Sequence, residues 1–167
     1  MNYHRKGRMY FRLVKENELD KVLYLYKEAQ REKFCVWDDE YPTMTEILND
    51  FKTNNLYVYL INDIIVGALS VLEESELNKF NEWEQKENIK ELARVVVDKD
   101  YHGNGIAVKM VANIIEILNN KNVKAVHLAC QCDNIPAIKT YEKVGFNFLA
   151  KKYVYGHDYF ICEYVIK

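Results

Sequence analysis

Residues 101–107 read Tyr101-His102-Gly103-Asn104-Gly105-Ile106-Ala107 and follow the apolar run Val95-Val96-Val97. A strand, a short glycine-bearing turn and the first turn of a helix make an anion cradle. Unpaired N–H groups at the helix N-terminus face outward, and the helix dipole favours negative charge there. Glycine lets the backbone approach a ligand with no Cβ in between. Two familiar phosphate loops are excluded: G-x-G-x-x-G needs glycine where Val108 stands, and G-x-x-x-x-G-K-[ST] does not occur. By itself the segment reads equally well as a tight strand-to-helix connection. His127 with Cys130-x-Cys132 hints at a metal, but the spacing is not that of a zinc site and a second ligand pair is missing. Packing at a strand end accounts for these residues, and no metal is expected.

The elements that must position the cradle follow from periodicity. Met9 to Val14 reads as a strand, and Asn17 is placed to cap a helix with Leu19, Val22, Leu23 and Tyr26 on one face. Thr43-Met44-Thr45-Glu46 has the capping-box form and precedes Ile47, Leu48 and Phe51. Leu56–Ile61 and Ile64–Leu72 are β-rich runs around Asn62-Asp63, a two-residue hairpin. Glu73 to Asn88 is polar, with an isolated Trp83, and reads as an irregular excursion. Ile89 to Val97 is the strand that enters the glycine turn. Beyond it, Ile106, Met110, Val111, Ile114, Ile115 and Leu118 mark an amphipathic helix ending at Asn119-Asn120. Val123 to Ala129 is a strand. Asp133 or Asn134 then caps a helix with Pro136 in its first turn and Gly145 at its end. Phe146–Tyr155 and Tyr159–Ile166 are two last strands joined near Gly156. The order predicts one α/β domain over residues 1–167 around a mixed sheet, with residues 1–8 standing outside its ordered part.

A second segment gives the cradle a specific reading. Asn134-Ile135-Pro136-Ala137-Ile138-Lys139-Thr140-Tyr141-Glu142-Lys143-Val144-Gly145-Phe146 resembles the N-x-x-A-x-x-x-Y-x-x-x-G-F segment of the GCN5-related N-acetyltransferases (GNAT). His102-Gly103-Asn104-Gly105-Ile106-Ala107 resembles that family's [Q/R]-x-x-G-x-[G/A] acyl-CoA loop, with His102 in place of Gln or Arg. The resemblance covers residues 9 to 167, with both motifs in order. It implies a mixed, mostly antiparallel sheet of about seven strands flanked by about four helices. It also implies acetyl-CoA as co-substrate. Backbone groups of Val95, Val96 and Val97 would hold the pantetheine arm and acetyl carbonyl. The N–H groups of Gly103, Asn104, Gly105, Ile106, Ala107 and Val108 would hold the pyrophosphate. The Asn134 side chain would touch pantetheine, and the Tyr141 hydroxyl would face the thioester sulfur. His102 changes only a side-chain contribution, because the cradle is backbone.

The implied reaction moves an acetyl group directly from a thioester to a primary amine of a small molecule or peptide. It asks for a base, an oxyanion donor such as a strand N–H near Val96, and an acid for the departing thiolate. Tyr141 is the candidate acid; the competing reading is a packed aromatic on an apolar helix face. Glu91, six residues before Val97, stands in the register of the catalytic glutamate of histone-type members. A carboxylate in an apolar strand gains a raised pKa suited to a base, whereas a solvated strand end would leave it ordinary. Glu73 is a second candidate base, acting through water. Members that acetylate the N-terminus of a ribosomal protein carry a glutamate five residues before the motif asparagine; here that residue is Ala129, which argues against that subclass. Trp37, Tyr41, Glu73 and Trp83 are candidate acceptor contacts, and Asp38, Asp39 and Glu40 beside Trp37 suit a cationic amine. The bland reading of that stretch is a surface loop with an anchoring tryptophan. The alternative function, of another class, is a non-catalytic acyl-CoA-binding regulatory module.

Composition bounds the rest. The chain has 167 residues, 23 Lys and Arg against 25 Asp and Glu, and a net charge of −2. That balance gives no basic field for nucleic acid. Tyr153, Tyr155, Tyr159 and Tyr164 therefore read as sheet packing or a self-association edge rather than a stacking platform. No apolar run approaches the roughly 20 residues of a membrane helix, and the basic N-terminus lacks the apolar stretch of a signal peptide. Cysteines 35, 130, 132 and 162 are expected as free thiols, consistent with a cytoplasmic protein. The resemblance allows a homodimer, since the family often dimerises, and the sequence leaves the oligomeric state open.

Overall fold

The computed structural model describes residues 7–73 and 75–167; the expectation for residues 1–8 falls largely outside them. The elements run β1 (Met9–Leu13), α1 (Leu19–Ala29), α2 (Met44–Lys52), β2 (Leu56–Ile61), β3 (Ile64–Leu72), β4 (Ile89–Val97), α3 (Ile106–Asn120), β5 (Ala125–Gln131), α4 (Ile135–Val144), β6 (Asn147–Val154) and β7 (His157–Val165). The seven strands form one sheet in the order β1-β2-β3-β4-β5-β7-β6. The mixed α/β architecture matches the expectation, and the strand and helix boundaries agree to within a few residues.

Local chemistry explains most boundaries. Asn62 and Asp63 both adopt positive φ, 51° and 66°, the conformation of the tight turn that matches strand twist. The Thr43 hydroxyl accepts from the Thr45 N–H at 3.2 Å, and Glu46 reaches back to the Thr43 N–H at 2.7 Å, closing the capping box. Of the two candidate caps before α4, Asn134 is the one used: its side-chain oxygen accepts from Ala137 N–H at 3.1 Å. The start of α1 differs from the expectation. Residues Glu16–Glu18 form a 3-10 turn, and Glu18 rather than Asn17 organises it. The Glu18 carboxylate accepts from the Lys15 N–H and is gripped by both Arg12 terminal nitrogens at 2.8 and 2.9 Å. A bidentate guanidinium outcompetes a single amide cap.

Two cores flank the sheet. On one face α3 buries the six apolar residues its periodicity marks, against Leu69, Val71, Leu92, Val126 and Leu128. On the other, α1 and α2 bury Val22, Leu25, Tyr26 and Ile47 against Val58, Leu60, Ala68 and Val96. The excursion between β3 and β4 adds a third cluster, centred on Leu77, Trp83 and Ile161. It is more ordered than its composition implies, with a 3-10 turn at Glu76–Lys79 capped by Ser75.

Two departures from regular pairing shape the centre. β4 and β5, the parallel neighbours, pair only over Ile89–Glu91 with Ala125–His127, and beyond that they separate. β4 also carries a bulge against β3: Ala68 and Ser70 face Val96 and Ala93, so β4 spends one extra residue there. Arg94 sits in this bulge at φ 49°. An extra residue leaves ladder groups unpaired and bends the strand, which helps open the fork on the β5 side.

Candidate active site

A groove of about 710 Å³ runs through the fork. Val95, Val96 and Val97 line it from β4, Ala129, Cys130 and Gln131 from β5, Tyr141 from α4 and Asn134 from that helix's N-cap. His102, Gly103, Gly105, Ile106, Ala107 and Val108 close one end. Trp37 reaches it from the loop between α1 and α2. The fork thus brings together most of the residues singled out by sequence. Glu91, Tyr41, Glu73, Trp83 and Asn104 lie outside that lining.

The cradle is built by backbone. The first helical bond of α3 runs from the Lys109 N–H to the Gly105 carbonyl at 3.1 Å, which leaves the N–H groups of Ile106, Ala107 and Val108 without helical partners. Gly103 and Gly105 adopt φ of 79° and 71°, and a Cβ on either would meet no atom within 4 Å. Glycine is needed here for backbone conformation rather than for lack of space. The loop is tied from within. Asp98 accepts from the Asp100 N–H at 2.9 Å, and the Asn104 amide donates to the Tyr101 and His102 carbonyls at 3.1 and 3.3 Å. Asn104 therefore shapes the loop with its side chain and has only its N–H to offer an anion. The His102 ring turns inward onto the Val97 carbonyl at 2.9 Å, tying the loop to the end of β4.

Tyr141 and Glu91 occupy opposite sides of the fork. Tyr141 is 8% exposed on α4, edge-on to Phe146 at 5.5 Å. Burial raises its phenol well above the usual value, with Cys130 and Cys162 nearby adding to the shift. Its hydroxyl is therefore a proton carrier at neutral pH, not an anion. Cys130 beside it is pushed up to about 12 by burial, so it stays a thiol. Glu91 is 6% exposed and pairs in register with His127, the last pair before β4 and β5 part. Its Oε2 is buried without a protein partner among the described residues. Burial raises its pKa; the Ser75 hydroxyl and the Arg94 charge act the other way. Tyr155, on the β6–β7 turn, feels the Glu91 charge and the Ser75 hydroxyl, so these three groups share the face opposite α3 and α4.

The other candidates have different surroundings. The exposed Glu73 carboxylate pairs with Lys90 at 2.8 Å, which lowers its pKa, the wrong direction for a base. Trp83 is buried, donates its indole N–H to the Leu77 carbonyl at 2.8 Å and stacks on His127 at 3.7 Å. Trp37 leans edge-on against Tyr26 at 5.4 Å while reaching the groove. The Tyr41 hydroxyl accepts from Arg94 at 2.8 Å.

Two buried polar clusters escaped the sequence reading. His127 Nε2 lies 2.7 Å from Glu163 Oε2, and Glu163 also accepts from the Glu84 and Gln85 N–H groups at 2.9 and 3.1 Å. This pair fastens the excursion to β5 and β7; burial lowers the His127 pKa against the pull of Glu163. Arg94, Asp50, Ser70 and Tyr41 form the second cluster. The available signal was weak: Arg94 interrupts an apolar strand, and Asp50 stands three residues after Ile47 on the buried side of α2. Among the described residues no three His, Cys, Asp or Glu gather as a metal cluster. No helix among them is long and apolar enough to cross a membrane.

A sheet forked at its parallel pair, with a backbone anion cradle at the fork, defines the class. The chain belongs to the acetyltransferase (GNAT) family, whose model matches residues 22–146. It is similar to N-alpha-acetyltransferase 30 of Schizosaccharomyces pombe, 31% identical over 72 residues, covering 41% of this chain and 48% of that protein. The chain thus spans about half the length of that curated relative. Solved structures share the fold. A GNAT-family acetyltransferase of Streptococcus agalactiae superposes with TM-score 0.83 at 17% identity, covering 95% of this chain and 96% of that one. An N-acetyltransferase of Staphylococcus aureus Mu50 gives 0.76 at 20% identity over 96% and 100% of the two chains. The Salmonella typhimurium protein yncA, solved with acetyl-CoA, gives 0.77 at 14% identity over 96% and 95%.

Proposed function

We propose that this protein transfers an acetyl group from acetyl-CoA to an amine, with a peptide or protein α-amine as the first acceptor class to test. One observation carries the reading: the glycine turn, the start of α3 with its N–H groups free of helical partners, and Tyr141 all line one groove through a forked sheet. The kinship with an N-alpha-acetyltransferase directs attention to α-amines.

The fit to acetyl-CoA rests on donors. The free N–H groups at the start of α3 and the glycine turn suit a pyrophosphate, and the Asn134 side-chain NH₂ remains available while its oxygen caps α4. When bound, acetyl-CoA supplies an activated thioester. The β4 backbone beside the bulge presents N–H groups to the charge that develops on the acyl oxygen. Tyr141 protonates the departing sulfur, a role its neutral phenol suits. Glu91 accepts the amine proton. Its raised proton affinity suits a base, and its position outside the groove lining calls for a relaying water.

The test is thiol release from acetyl-CoA with α-amine peptides and polyamines, followed across pH for the natural protein and Glu91→Gln. A carboxylate base must be ionised, so the natural rate should rise with pH through the raised Glu91 value. The folded, acetyl-CoA-binding Glu91→Gln variant should lose about 100-fold in kcat, together with that rise. Thiol release that never exceeds the blank with any amine would defeat the reading. An unchanged profile in Glu91→Gln would remove Glu91 from the base role.

A further inference from the structure

The buried cluster around Arg94 carries no step of the proposed transfer. Arg94 holds a left-handed backbone, φ 49°, inside the β4 bulge, a conformation that side chains adopt at a cost. Its guanidinium lies 2.5 Å from Asp50 Oδ2 and donates to the Tyr41 hydroxyl at 2.8 Å. Ser70 donates to the same Asp50 oxygen at 2.6 Å. The Arg94 and Asp50 side chains are only 7% and 1% exposed. Three buried atoms here, Arg94 Nε, Asp50 Oδ1 and the Tyr26 hydroxyl, lack protein partners among the described residues. Apolar residues would generally stabilise such a site as well or better, so stability alone is a poor reason for this cluster.

Its position offers a better one. Arg94 lines the groove and its charge acts on Glu91. At the other end, Tyr41 belongs to the α1–α2 loop. That loop pairs Asp38 with Tyr41, is held by Gln30 donating to the Asp38 carbonyl at 2.6 Å, and sets Trp37 against Tyr26. Cys35 sits in the same loop, half-buried in the groove, its sulfur accepting from the Trp37 N–H at 3.4 Å. The guanidinium therefore joins the bulged strand to the loop on the face opposite α3 and α4. Its planar fork reaches a carboxylate and a phenol at once, which a lysine ammonium does far less well.

We propose that Arg94 is a positioning residue: clamped by Asp50 inside the β4 bulge, it holds the Tyr41 hydroxyl and sets the α1–α2 loop against the strand that faces the acyl donor. The role in transfer rests on the acetyltransferase reading, whereas the clamp itself is testable without turnover. Iodoacetamide alkylation of Cys35, followed peptide by peptide by mass spectrometry, reports whether the loop is seated. Tyr41→Phe and Arg94→Lys should each speed Cys35 alkylation at least threefold, and the double variant should react no faster than Arg94→Lys alone, because both break one link. Less than threefold acceleration in Tyr41→Phe, or a double variant that multiplies the two effects, overturns the proposal. If Arg94→Lys fails to fold, Tyr41→Phe at its exposed position decides alone. With a tetrapeptide bearing a free α-amine as acceptor, Tyr41→Phe should raise the acceptor KM at least threefold with the acetyl-CoA KM within twofold. An equal change in both, or none in either, counts against the clamp. Absence of thiol release from the unsubstituted protein would defeat the functional reading and leave the alkylation result standing.

Discussion

The two sides of the fork are built in different ways. On the side proposed to take the acyl donor, the anion cradle is made of backbone N–H groups, and the residues that expose them are contiguous: a strand end, a glycine turn and a helix start within residues 95–108. On the opposite side the groups are side chains drawn from distant segments. Arg94 meets Asp50 and Tyr41 across 44 and 53 residues of chain, and His127 meets Glu163 across 36. A site made of backbone leaves a local pattern in the sequence, because φ and the absence of Cβ are local demands. A site made of side chains leaves only single polar residues in apolar runs.

Removing one member of a buried pair on the side-chain face should have the largest effect. Glu163→Ala leaves His127 and the Glu84 and Gln85 N–H groups without their acceptor. Loss of one partner of a buried pair costs about 3–5 kcal/mol, which in a chain of this size lowers the melting temperature by about 10 °C. Acetyl-CoA affinity measured below the transition should stay within threefold, since the cradle lies elsewhere. A melting shift under 2 °C would mean the pair does not hold the excursion.

Next comes Tyr141, which lines the groove from α4. Tyr141→Phe keeps the ring against Phe146 and removes only the hydroxyl, the proposed proton donor. Turnover should fall about 100-fold with the acetyl-CoA dissociation constant unchanged, read by single-turnover thiol release beside calorimetry. A parallel loss of binding would make Tyr141 a packing residue instead.

The buried carboxylate at the fork gives a smaller effect with a definite sign. Burial raises the folded-state pKa of Glu91 above its ordinary 4.5. The folded chain therefore holds that proton more tightly than the unfolded one. The natural protein loses the associated stability as pH rises from about 4.5 through the raised value, about 1.4 kcal/mol for each tenfold gain in proton affinity. Glu91→Gln does not titrate, so it should gain stability relative to the natural protein at pH 8 and not at pH 4. Urea midpoints at the two values test this, and a pH-independent difference would contradict it.

Smallest is His102→Ala. It removes one bond to the Val97 carbonyl and none of the cradle N–H groups. One hydrogen bond contributes about 1 kcal/mol, so acetyl-CoA binding should weaken by no more than about fivefold in a calorimetric titration. A loss of 100-fold would make the donor side depend on a side chain and erase the contrast between the two sides of the fork.

The same contrast explains what was legible beforehand. The sheet and helices followed from periodicity, and α3 buries the six residues its pattern marks. The Asn62-Asp63 turn and the Thr43 capping box rest on interactions within four residues, and both were readable. Asn17 misled because Glu18 answers to Arg12, on the strand before it. Trp83 looked like a loop residue until its partners, Leu77 and His127, were known. Glu73 carried no sign of Lys90 across the strand pair. Arg94 and Asp50 were each an anomaly in an apolar pattern, and neither names the other.

The most direct test of the central claim, that a backbone cradle holds the donor, is a calorimetric titration of acetyl-CoA into the natural protein and into Gly105→Val. Valine strongly disfavours the φ of 71° that opens the start of α3, while its Cβ clashes with nothing. A backbone cradle predicts saturable binding by the natural protein and at least 100-fold weaker binding by the folded variant. Equal affinity in the two, or no binding by the natural protein, would contradict it.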